Sequence, residues 1–174
     1  MIMQVLLVYE SMFGNTRDVA NAVADGLATH AHVDVTEVGE APSLLGEDVG
    51  LLVVGAPTHG LSLSNAKSRR VAAGQAESAL VSQGNGLREW IAQLRPLDTA
   101  VPVASFDTRI ARPWIPGSAA RAALRRLRRK GFPAALRACS FYVTATMGPL
   151  VDGERDRARR WGVELAAKGI ERPL

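Results

Sequence analysis

Residues 5–16 read Val5-Leu6-Leu7-Val8-Tyr9-Glu10-Ser11-Met12-Phe13-Gly14-Asn15-Thr16. The first five form an unbroken apolar run, the pattern of a parallel strand buried on both faces. Just beyond, Val19, Ala20, Val23, Ala24 and Leu27 recur at helical spacing, which predicts a helix over 16–29. A short polar turn separates strand from helix. Ser11 and Thr16 bring hydroxyls to it, and Gly14 and Asn15 tolerate backbone angles that turn N–H groups toward one point. With the positive end of the helix behind it, the turn reads as a neutral cradle for a phosphate. It is not a P-loop, because the pattern G-x-x-x-x-G-K-[ST] is absent. Read without context, the same residues also suit a polar turn that merely caps the helix.

The alternation continues along the chain. His32–Val38 alternates apolar and polar residues, as an outer strand does, whereas Leu51–Gly55 and Val101–Phe106 read as buried strands. Phe141–Ala145 is the last strand. Asn85 reads as the cap of a helix carrying Leu87, Trp90, Ile91 and Leu94 and ended by Pro96. Ser118 caps Ala119–Lys130, with Gly131 as its stop, and Asp152 caps a final helix bearing Ala158, Trp161, Leu165 and Ala166. Such alternation predicts an α/β fold, a parallel sheet with helices on both faces. Only 61–84, rich in Ser, Ala and Gly, lacks a period, and it reads as a long lid or mobile loop.

Composition narrows the function. With 174 residues, 47% of them hydrophobic, the chain is expected to form one domain over 1–174 and to need no staple. Cys139 is the sole cysteine, so no intramolecular disulfide forms; it reads as a small core residue. His30 and His32 read as surface residues, and no metal site is expected. The N-terminus lacks a basic segment and no apolar run reaches membrane length, so a cytoplasmic protein without membrane attachment is expected. The net charge of +4 is unevenly spread: no acidic residue lies between Asp107 and Asp152, where nine arginines and lysines fall. Arg121, Arg125 and Arg128 share one helix face, either simply solvated or a docking surface. The absence of aromatics between Arg121 and Lys130 argues against nucleic acid.

Ser11-Met12-Phe13-Gly14-Asn15-Thr16, at the end of an N-terminal strand, closely resembles the phosphate loop of flavodoxins, usually written [ST]-x-T-G-N-T. The resemblance implies a three-layer α/β/α sandwich with a five-stranded parallel sheet of order 2-1-3-4-5. It also implies that flavin mononucleotide (FMN) is the ligand, with its 5′-phosphate in this loop. Phe13 stands where the family has threonine, so one hydroxyl donor is lost. By the same resemblance, Ala56-Pro57-Thr58-His59-Gly60-Leu61 covers one face of the flavin ring. His59 is the ring residue there, and Gly60 permits the peptide rotation that answers flavin reduction. The third loop, Phe106-Asp107-Thr108-Arg109 through Arg112-Pro113-Trp114, would face the other side. It lacks the usual tyrosine; Trp114 could replace it. Asp107 could bond the loop or a flavin edge, and Arg109 would set a cation near flavin N1, raising the potential.

These implications favour an FMN-binding electron carrier over two rivals. One is an FMN-dependent quinone or nitro-compound reductase, with 61–84 shaping its substrate pocket. The other is a flavodoxin-like binding module without flavin, since the stacking aromatics are missing. No Ser-His-Asp arrangement or G-x-S-x-G elbow is present, and no catalytic residue is assigned. The basic helix implies an acidic redox partner, a reductase or a ferredoxin-like protein.

Overall fold

A computed structural model describes residues 2–96, 100–112 and 114–170. Five parallel strands, β1 (Met3–Tyr9), β2 (Ala31–Glu37), β3 (Val49–Pro57), β4 (Val103–Ile110) and β5 (Cys139–Val143), form one sheet in the order 2-1-3-4-5. The helices are α1 (Asn15–Leu27), α2 (Ala66–Gln75), α3 (Leu87–Gln93), α4 (Ala119–Arg129) and α5 (Glu154–Ile170). Strand β1 shows why three layers result. Val5 and Leu7 enter a core with α1 and α5, while Leu6 and Val8 enter a second core with α3 and α4. An all-apolar strand can satisfy both sides only between two helical layers. Leu44–Leu45 and Arg95–Pro96 form a separate two-residue ladder outside the main sheet.

The α1–α5 layer is built on close backbone approach. A Cβ on Gly26 would sit 2.0 Å from the Arg159 carbonyl oxygen, and one on Gly162 would sit 2.2 Å from that of Val23. Beneath this crossing, Phe106, Phe141 and Trp161 pack edge-to-face with ring centroids 6.1–6.2 Å apart. Each pairing stabilises the fold beyond the area these rings bury. No described helix is long and apolar enough to cross a membrane.

Several boundaries differ from the sequence reading, each for a physical reason. Residues 61–84 are not one loop, since α2 lies within them. Only Ala72 of α2 is buried, so no apolar stripe marks it; a capping box between Asn65 and Ser68 starts it. Strand β4 begins at Val103 and runs on through Asp107, Thr108 and Arg109, because partners distant in sequence bond Oδ2 of the buried Asp107, while its Oδ1 meets no partner among the described residues. The N-cap of α3 is Gly86 rather than Asn85, and the helix ends at Gln93, before Pro96. Helix α5 starts at Glu154 after Gly153, whose φ of 86° makes the turn that Asp152 is expected to cap. Strand β5 starts at Cys139 and ends at Val143, and α1 ends at Leu27. Ser118 does cap α4, accepting from the Arg121 N–H at 3.2 Å, and Gly131 follows at φ 101°.

The glycine crossing gives a test. Gly162→Ala should destabilise the fold by about 1–3 kcal/mol despite alanine's better helix propensity, because backbone on α1 has to yield. Urea unfolding of the variant beside wild type measures it.

Candidate functional site

The phosphate turn is organised by one hydroxyl. Ser11 is buried at the end of β1, and its Oγ accepts from the N–H groups of Gly14 (3.1 Å) and Arg17 (3.3 Å). Gly14 takes φ 95°, a left-handed conformation that favours glycine. The turn is braced from below by residues 81–82. The Ser11 N–H donates to Ser82 Oγ (2.9 Å), the Ser82 N–H to the Ser11 carbonyl (2.7 Å), and the Val81 N–H to the Met12 carbonyl (3.0 Å). Ser82 Oγ in turn donates to Glu37 Oε1 at 2.7 Å. Among the described residues, the N–H groups of Phe13, Asn15 and Thr16 meet no acceptor. Outside the residues that line the cleft, the Arg17 guanidinium lies 3.1 Å from where a Gly14 Cβ would stand.

The neighbouring strand ends lock onto this turn. Thr16 Oγ1 and Thr108 Oγ1 share a hydrogen bond of 2.7 Å. Asp107 is fully buried; its Oδ2 accepts from Thr58 Oγ1 (3.0 Å), the Ala120 N–H (3.0 Å) and Ser118 Oγ. Thr58 Oγ1 itself accepts from the Ala119 N–H at 2.9 Å. Asp107 therefore bonds the loop and the start of α4, the first of its two expected roles. The segment after β5 closes the fourth side, with Gly148 so near Asn15 that a Cβ would lie 2.4 Å from Asn15 Oδ1. Motif reading passes over this segment because its residues carry no distinctive chemistry.

Two connected clefts open above these groups. One, of about 120 Å³, runs from Ser11–Thr16 across Pro57–His59 to Thr108–Ile110. The other, of about 440 Å³, lies against α2 and includes Lys67 and Gln75. Phe13, Thr58, His59 and Thr146 line both. Phe13, counted in the sequence only as a lost hydroxyl, thus supplies an aromatic ring to the wall. His59 is half-buried, with Nδ1 2.9 Å from Ser68 Oγ of α2. Gly60 is exposed at φ 61°, with open space where a Cβ would point. Trp114 is 78% exposed and lines neither cleft, and Pro113 lies outside the described residues. Arg109 reaches the smaller cleft, while its guanidinium donates to the carbonyls of Gly117 (2.6 Å) and Ile115 (2.9 Å).

A polar network below the clefts has no counterpart in the sequence reading. Glu10 is buried, and its Oε1 accepts from the Leu87 N–H (2.7 Å) and its Oε2 from Ser64 Oγ (2.6 Å). Arg69 donates to Ser64 Oγ (2.9 Å) and forks onto Glu89 at 2.8 and 3.2 Å. Burial pushes the Glu10 carboxyl above its ordinary pKa, opposed by Ser64, the Leu87 N–H and Arg69. The described residues include no group of three or more His, Cys, Asp or Glu able to hold a metal ion.

Comparison with known proteins agrees with this geometry. Residues 7–85 match the flavodoxin family model. No curated protein matches the sequence. A flavodoxin from an archaeon superposes with a TM-score of 0.67 at 16% identity, covering 97% of this chain and 100% of its own. Oxidised flavodoxin 1 from Bacillus cereus gives 0.67 at 15% identity, over 98% and 99%. The flavodoxin, WrbA-like protein from Agrobacterium tumefaciens gives 0.61 at 16% identity, over 98% and 99%. The chain thus has a flavodoxin-like fold, and its residues 7–85, which hold the phosphate turn, carry the flavodoxin sequence pattern.

His59 provides a titration test. Burial, then the nearby Arg69 charge, holds its imidazole below its ordinary pKa of 6.5. A depressed folded pKa contributes stability that is present above the unfolded pKa and lost as pH falls through the folded one. Wild type should therefore lose more stability than His59→Gln between about pH 7 and pH 5. Urea midpoints across that range, with the His59 Cε1 proton followed by NMR, check this.

Proposed function

We propose that the chain is an FMN-binding electron carrier exchanging electrons with a separate, acidic redox protein. The observation that carries this reading is the turn at 11–16. Three N–H groups there meet no acceptor among the described residues, beside the Thr16 hydroxyl and the nearby Arg17. Backbone donors at a helix start, with one cation close by outside the cleft, suit a phosphate monoester. FMN, when bound, supplies the one- and two-electron redox chemistry. The chain's residues bind, orient and tune it. Ser11, Met12, Phe13, Gly14, Asn15 and Thr16 hold the phosphate end. Pro57, Thr58, His59 and Gly60 border one side of the ring, with Phe13 providing apolar contact. Thr108 and Arg109 border the other, while Asp107 fixes Thr58. The 440 Å³ cleft against α2 keeps a second reading in view, an FMN-dependent reductase of small acceptors. NAD(P)H oxidation by the isolated protein with a quinone would favour it; a carrier needs a separate reductase.

FMN should bind far more tightly than riboflavin, and Thr16→Ala should weaken FMN by about 0.5–1.5 kcal/mol. Fluorescence titration with both flavins decides, and equal affinities would sink the phosphate assignment. Arg109→Gln should lower the midpoint potential of the bound flavin. Unit charges about 6 Å apart interact by roughly 3 kcal/mol at an effective dielectric near 20. Solvent screening reduces this to tens of millivolts, measurable by redox titration.

A further inference from the structure

The nine basic residues between Asp107 and Asp152 do not simply coat a helix. A trough of about 620 Å³ runs between α4 and the chain entering β5. Arg121, Arg125, Arg128 and Arg129 form one wall and Arg137 the other. Leu124 and Ala138 give it an apolar floor. A second cleft, of about 470 Å³, continues it over Ser140 and Tyr142 to Arg112 and Arg109. Arg121 lines both, and Arg109 also lines the phosphate-side cleft. The basic surface thus runs unbroken from the far end of α4 to the proposed flavin site. None of the five trough arginines is ion-paired among the described residues.

We propose that this trough receives an acidic amphipathic helix presented by the redox partner, a proposal that rests on the electron-carrier reading. Three observations select that occupant. The cations are all arginine, whose planar forks match carboxylates. Leu124 and Ala138 offer the floor an amphipathic helix covers with its apolar stripe, and the trough itself holds no aromatic on which a nucleic-acid base could stack, the lone Tyr142 lying in the cleft that continues it. An added strand is excluded because the free edge of β5 is spent. The Tyr142 N–H donates to Glu154 Oε2 (2.7 Å), the Ser140 carbonyl accepts from Arg157 Nη2 (2.5 Å), and the Tyr142 carbonyl accepts from the Val151 N–H (2.9 Å). Carboxylates three and four residues apart would meet arginines at the same spacing on α4, placing the partner beside the flavin edge.

The test uses the full chain and a fluorescein-labelled, Glu-rich amphipathic 18-residue peptide, followed by anisotropy at low salt. Binding should weaken at least tenfold in the triple variant Arg121→Glu, Arg125→Glu, Arg128→Glu. It should also weaken about threefold or more in the gentler Arg125→Gln, Arg128→Gln, which spares the helix. Arg159→Glu, Arg160→Glu on α5 should change nothing. The difference should shrink toward 1 M salt, where the Debye length is about 3 Å. The same peptide with a central proline should bind at least fivefold more weakly. Equal binding by wild type and both trough variants, equal binding of the proline peptide, or tighter binding of a single-stranded oligonucleotide of matched charge would each overturn the proposal. Peptide binding needs no flavin, and FMN affinity should be unchanged in the triple variant. A chain that binds peptide but not FMN would therefore retain the docking site while losing the carrier reading.

Discussion

The tip of β1 carries a carboxylate into the interior, and the layer that contains α3 is arranged to satisfy it. An ionised carboxylate without partners is very costly to bury. Glu10 finds them at two points far apart in sequence, the Ser64 hydroxyl and the Leu87 N–H at the start of α3. Gly86 must be glycine there, because a Cβ would lie 2.4 Å from Glu10 Oε1. The excursion from Ser64 to Leu87 is thereby tied at both ends to one residue, and Arg69 near its start is joined to Glu89 of α3. Ser82, inside the same excursion, reaches back to Ser11. One buried acid thus fixes both the floor of the phosphate turn and the position of α2 beside it.

Asp107 repeats the device within β4. Its Oδ2 gathers Thr58, Ser118 and the Ala120 N–H, so the start of α4 is docked onto the sheet in the way Glu10 docks α3. Both acids draw on the positive ends of helices in the same layer. Both carboxylates are buried, and neither lines the clefts. What lines the cleft instead includes the hydroxyls of Ser11, Thr16, Thr58 and Thr108, together with Arg109.

The same two acids explain which features the sequence made legible. Unbroken apolar runs such as Val5–Tyr9 and Leu51–Gly55 announce a doubly covered parallel sheet, because periodicity and burial are local properties. The order of strands and the phosphate turn were legible through the resemblance carried by Ser11–Thr16. Features that depend on remote pairing were not. Gly86 displaces Asn85 as the cap because the α3 acceptor is Glu10, and β4 outruns its apolar stretch because Asp107 Oδ2 is bonded from α4 and Thr58. Helix α2 shows no stripe because it lies on the surface with one buried residue. Phe13 was weighed as a missing hydroxyl because motif comparison scores functional groups, whereas its ring position follows only from the fold.

Charge placement then follows one logic across the molecule. Near the strand ends the acids are internal and hydrogen-bonded, so the external field over that end is set by cations. A phosphate in the turn would offset the part due to Arg17, which lies against Gly14. It would leave the trough along α4 unneutralised, because Arg109 is already committed to the carbonyls of Ile115 and Gly117 and stands between the two regions. Arg109 is thus held rigid at their junction by neutral acceptors, which orient its charge without cancelling it. A cation fixed in that way acts on both sides: it favours negative charge developing in the cleft and extends the positive surface that an approaching anion meets. The bland reading of the basic helix, a solvated face, accounts for the exposure of Arg125 and Arg128. It does not account for the continuity of the surface, which requires Arg121 to line both outer clefts and Arg109 to reach the inner one.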